Sequence, residues 1–61
     1  MTPDIERWAE ALAAYRAHGE RAHVHVAERI GTLATDGDQA GVDRWKQIAV
    51  RLDQLIGGSL Q

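Results

Sequence analysis

The strongest constraint on this chain is the place where it breaks. In Thr35-Asp36-Gly37-Asp38 a glycine able to end one helix stands directly before an aspartate able to cap the next. On both sides of that break, apolar residues recur every three or four positions, the period of a helix with one buried face. Downstream, Val42, Trp45, Ile48, Ala49, Leu52, Leu55 and Ile56 share an arc of about 140° at 100° per residue. A helix is expected there from about 38 to 56, stopped by Gly57-Gly58, with Ser59-Leu60-Gln61 as a frayed end. Upstream, Ala22, His23, Val26, Ala27, Ile30, Leu33 and Ala34 lie on one side of a helix expected over about 20–35. A connection this short makes the two helices antiparallel neighbours, a helical hairpin.

The N-terminal stretch announces a further helix. Thr2 suits an N-cap, Pro3 the first helical position, and Asp4 and Glu6 the positive end of the helix dipole. Ile5, Trp8, Leu12 and Tyr15 then fall within about 80° of arc. Ala9, Ala11, Ala13, Ala14 and Ala17 favour helix and permit close approach by a neighbour. His18-Gly19 ends the segment at about residue 18. The next helix lacks a good N-cap, so one helix bent at Gly19 is the alternative to two. Gly31, four residues after Ala27, is expected to mark the close approach of a crossing helix, since a mid-helix glycine otherwise costs about 1 kcal/mol. The one alternating run, His23-Val24-His25-Val26, has no second strand to pair with. Ile5-Glu6-Arg7-Trp8 echoes Val42-Asp43-Arg44-Trp45, but a single partial unit is below the ~3 repeats a solenoid needs. The expectation is an all-α, three-helix domain (about 3–18, 20–35, 38–56), one domain over 1–61.

Size decides what such a domain needs. A chain of 61 residues buries only ~60% of its extended-chain surface, which leaves it marginally stable alone. With no cysteine, disulfides and thiolate zinc sites are closed to it. Self-association into a homodimeric helical bundle is therefore expected. Trp8, Leu12, Tyr15, His23, Trp45, Leu52 and Leu55 are the candidate core and interface residues, because two indoles and a phenol are generous for so short a chain and such rings anchor interfaces. The net charge of −2 is carried by scattered residues, so no field draws the chain to phosphate or anionic lipid. No apolar run approaches the ~18 residues of a membrane span, and the acidic N-terminus is unlike a signal peptide. The expected setting is the cytoplasm.

The residues carry little chemistry. His18, His23 and His25 lie within eight positions, yet none are spaced i,i+4 as helical metal sites require. On a straight helix His18 and His25 are ~10.5 Å apart in rise, and both are expected in solvent. His23 falls within the apolar arc and is read either as a partly buried, hydrogen-bonded histidine or as an interface histidine whose protonation would loosen an assembly. The hydroxyls of Thr2, Thr32, Thr35 and Ser59 have no His–acid arrangement beside them. Asp36 and Asp38 lack the ligand series of a calcium loop and suit turn and cap instead. No enzyme activity, metal or cofactor is expected. The function read from these features is a protein–protein interaction or regulatory module, its partner a second copy or another protein. The alternative is a helix-turn-helix-like nucleic-acid-binding regulator using Arg44, Lys46, Gln47, Arg51 and Gln54. Asp43 and Asp53 on the same helix speak against a basic reading face, so nucleic acid is not the expected partner.

Taken in order, Glu6-Arg7-Trp8-Ala9-Glu10-Ala11-Leu12, His18-Gly19, Ala27-Glu28-Arg29-Ile30-Gly31-Thr32-Leu33-Ala34, Gly37-Asp38, Ala40-Gly41-Val42-Asp43-Arg44-Trp45 and Ile48-Ala49-Val50-Arg51-Leu52-Asp53 form a set. Together they resemble a family of short alphaproteobacterial proteins of unknown function, over about Glu6 to Leu55. The resemblance implies a stand-alone small helical protein and brings no activity, ligand or catalytic residue with it.

Overall fold

A computed structural model describes residues 2–57. Gly58 of the expected stop and the expected frayed end at Ser59-Leu60-Gln61 lie outside the described residues. The described chain is all-helical, in two stretches, 3–35 and 39–57, the first turning at Gly19. The first run consists of α1 (Pro3–His18), a 3-10 turn (Gly19–Arg21) and α2 (Ala22–Thr35); the second is α3 (Gln39–Gly57). Among the described residues no helix is long and apolar enough to cross a membrane.

The start and stop signals act as their chemistry dictates. Thr2 Oγ1 accepts from the Ile5 amide at 3.2 Å, and Pro3 occupies the first turn. At the end of α2 the Gly37 amide donates to the Ala34 carbonyl (3.1 Å) and the Asp38 amide to the Leu33 carbonyl (2.9 Å). With Gly37 at φ 77°, this is the paired-bond glycine stop known as the Schellman motif. Asp38 then caps α3, its Oδ1 accepting from the Gly41 amide at 2.9 Å. A Cβ on Gly41 would stand 2.5 Å from Asp38 Oδ2, so glycine there leaves room for the capping carboxylate.

The missing N-cap before α2 also finds its reason. The Gly19 amide still bonds the Tyr15 carbonyl, and the Ala22 amide bonds the Gly19 carbonyl, so no cap side chain is needed. The direction of the chain nevertheless changes, because Gly19 adopts φ 57° and ψ −128°, a combination disfavoured for any residue with a Cβ. Gly31 is different: it lies mid-helix and exposed, and a Cβ there would meet nothing within 4 Å. The crossing helix expected at Gly31 is not there; the small side chain makes no close contact. The two glycines should thus respond oppositely in thermal melts. Gly19→Ala is expected to destabilise by about 1–2 kcal/mol, and Gly31→Ala to stabilise by about 0.5–1 kcal/mol. Equal effects of the same sign would contradict the bend at Gly19.

The core is small and drawn from every segment. Ala11 of α1, Ala22 and Val26 of α2, and Ile48 and Leu52 of α3 form one buried cluster, with Ile30, Trp45, Ala49 and Ile56 packed partly buried against it. On α2 the buried stripe follows Ala22 and Val26, and His23 falls outside it. On α1 the buried residues are Ala11 and Ala14. They lie about 110° round the helix from the centre of the Ile5-Trp8-Leu12-Tyr15 arc. The face of α1 that packs is therefore its alanine face, and the arc of large apolar residues is turned away from the core.

Candidate functional site

The outward arc of α1 leaves large apolar side chains uncovered. Ile5 is 52% exposed, Tyr15 44% and Leu12 37%, and Trp8 between them is half-buried. Arg51 of α3 explains the state of Trp8: its guanidinium carbon stands 5.4 Å from the indole centroid, within cation–π reach, and covers one side of the ring. The other candidates are distributed over the molecule. Leu52 is fully buried and Trp45 packs half-buried on the core, whereas Leu55 is 38% exposed. His23 is exposed, its Nε2 donating to Asp53 Oδ1 at 2.6 Å; the hydrogen bond expected of it is present, the burial is not.

What fastens α1 to α3 is a row of polar side chains that periodicity alone did not single out. Arg51 donates to Asp4, Arg7 donates to Gln47 at 3.2 Å, and both Arg7 and Arg44 donate to Glu10. Glu10 thus sits between two guanidinium groups, one from its own helix and one from α3. Partial burial pushes its carboxyl upward, but hydrogen bonds from Arg44 and Arg7, aided by the two positive charges, outweigh that and hold it below an ordinary glutamate. A carboxyl whose pKa is lowered by folding stabilises the fold above its unfolded value, near 4.5. That contribution is lost as pH falls through the lower, folded value. Wild type should accordingly melt above Glu10→Gln at pH 6, with the gap closing toward pH 3. A gap that stays constant over that range would contradict the clamp.

The bend at Gly19 builds a second cluster. It brings His18 and His25 face to face, centroids 3.9 Å apart and planes 18° from parallel. His25 meets Trp45 edge-on at 5.9 Å, and the Arg29 guanidinium stands 5.4 Å from the Trp45 ring. The separation expected of these two histidines is corrected, and with it the exposure of His25, which is half-buried in an aromatic stack, whereas His18 is exposed as expected. A straight-helix rise does not apply across a non-helical glycine. Stacked rings aim their nitrogens along parallel planes rather than at one point, and among the described residues no group of three His, Cys, Asp or Glu is placed to hold a metal ion.

The hydroxyls are occupied by their own helix. Thr32 Oγ1 donates to the Glu28 carbonyl at 3.0 Å and Thr35 Oγ1 to the Gly31 carbonyl at 2.9 Å, while Thr2 is the cap of α1. Ser59 lies outside the described residues. A wide, open depression bounded by Glu28, Gly31, Thr32, Thr35 and Asp36 lies on the exposed side of α2.

A model described as "Family of unknown function (DUF6961)" matches residues 3–59, a span that includes every described helix. The chain belongs to this family. No curated protein and no solved structure matches it. The DUF6961 description names no activity.

Proposed function

We propose that this DUF6961 chain is a non-enzymatic protein–protein interaction module that acts as a homodimer. The observation that carries the reading is the inversion of α1: alanines face inward, while Ile5, Leu12 and Tyr15 are exposed on a single stripe. Turning large apolar side chains outward loses burial that an alternative rotation of the helix would recover, unless something else covers them. In this reading the chain counts as three helices, α2 and α3 form an antiparallel hairpin, and two copies complete a helical bundle. Support for the hairpin comes from the order of its contacts: His23 reaches Asp53 while Arg29 reaches Trp45. The nucleic-acid alternative is weakened because Arg44, Gln47 and Arg51, three of the five polar residues it would use, are committed to α1. We propose a cytoplasmic setting with it, in keeping with the charge and composition, and an alphaproteobacterial source, in keeping with the sequence resemblance.

Sedimentation equilibrium across a hundredfold range of protein concentration tests the proposal. Wild type is expected to shift from monomer toward dimer, and Leu12→Glu to remain monomeric with unchanged helical circular dichroism. A wild type that stays monomeric throughout would overturn the reading.

A further inference from the structure

The stripe on α1 has a spacing with a geometric consequence. Residues 5, 8, 12 and 15 are separated by three, four and three positions, the a-d-a-d order of a coiled-coil seam. Ala9, on one edge of the stripe, is exposed and small, which leaves a second helix room to approach on that flank. We infer that the occupant of this face is the α1 of a second copy, packed antiparallel about a two-fold axis near the level of residue 10; the inference rests on the homodimer just proposed and adds its geometry.

Charge selects the direction. The first turn of α1 is acidic, with Asp4 and Glu6, and its last turn is basic, with Arg16 and His18. Antiparallel packing sets each acidic end against the partner's basic end and opposes the helix dipoles, whereas parallel packing would set like against like. Arg16 forms no ion pair among the described residues, and the Asp4 side chain keeps 60% of its exposure despite Arg51. Shape agrees with charge. About a two-fold at residue 10, Trp8 lies opposite Leu12 and Ile5 opposite Tyr15, so each ring meets an aliphatic chain and layers alternate large with medium. Parallel pairing would place indole on indole and phenol on phenol.

The size of the face sets the strength. A 16-residue helix is ~24 Å long and ~10 Å wide, a footprint well below the ~800 Å² per partner of a standard interface. Exchange between monomer and dimer in the micromolar range or above is the consequence, which is why concentration is the variable in the sedimentation test.

The chain has no cysteine, so single spin labels at Ala13→Cys and Ala17→Cys, both exposed on the side of α1 away from the stripe and clear of the proposed contact, read the geometry by pulsed dipolar spectroscopy. In the antiparallel dimer, paired labels at 13 and at 17 are separated along the axis by about 9 Å and about 21 Å respectively, so the second distance is the longer by about 10 Å. Distances that agree to within a few ångströms mean a parallel dimer and overturn this inference while the homodimer stands. A dimer that survives Leu12→Glu places the interface on another face and also overturns it, and no measurable pair together with a monomeric mass overturns both. Charge exchange gives an independent reading. Arg16→Glu, which sets like charge against the partner's Asp4 at the paired level, is expected to weaken association by about two- to fivefold, and Arg16→Lys to keep it. Equal association of Arg16→Glu and wild type, with the variant still fully helical, would remove the antiparallel register.

Discussion

Leu52→Ala and Ile48→Ala should each abolish most of the cooperative thermal transition, while Leu55→Ala, one turn further along the same helix, should leave it nearly unchanged. Leu52 and Ile48 are fully buried and are the two largest side chains in a buried core that otherwise holds Val26, Val42 and three alanines. Truncating such a residue removes its transfer free energy and leaves a cavity, together about 2–5 kcal/mol. A domain of this length has only about 3–9 kcal/mol in total, so one truncation consumes most of it. Leu55 is 38% exposed and its truncation should remain below about 1 kcal/mol. Far-UV circular dichroism during heating and in urea checks the contrast; similar losses for Leu52→Ala and Leu55→Ala would mean that the core is not centred on α3 as described. The measurement belongs at low protein concentration, where self-association adds least to apparent stability.

Much of this fold was legible because its boundaries are local chemistry. Thr2, Pro3, Gly37 and Asp38 act through atoms within five positions in sequence, and their caps and turn follow from residue type alone. What lies between elements was less legible. An apolar arc locates an amphipathic helix, yet it does not say which of two faces meets the core when the other is lined with alanine. Ala11 and Ala14 carry little hydrophobic weight on a wheel, but they let α1 come close enough for Glu10 to lie between Arg7 and Arg44. The polar residues of that row, at 4, 7 and 10 on one helix and 44, 47 and 51 on the other, were the available signal, since each triplet recurs every three or four positions. His18 and His25 were misplaced because helical rise was carried across Gly19, where a positive φ ends its validity. Gly31 was misread in the opposite sense, a small residue given a neighbour it does not have.

Ala11→Leu is the sharpest test of the inverted helix, because hydrophobicity alone gives it the wrong sign. Alanine and leucine differ little in helix propensity, so the effect reports packing. Ala11 is fully buried against Ala22, Val26, Ile48 and Leu52, and three added carbons must displace α1 or force neighbouring side chains out of their rotamers. Overpacking of this kind costs typically about 1–3 kcal/mol, a fall in Tm of roughly 4–8 °C per kcal/mol for a domain this size. Leu12→Ala, at the next position, removes the same three carbons from a side chain that is exposed in the monomer. It should leave the monomer's melt nearly unchanged and weaken association instead. Two adjacent residues then respond in opposite ways, the addition of apolar volume harming the fold and its removal harming only the assembly. If Ala11→Leu raises the Tm and Leu12→Ala unfolds the monomer, α1 is rotated with its large apolar stripe inward. In that event the self-association proposed for its outer face falls with the rotation, because the stripe it needs would already be buried within one chain.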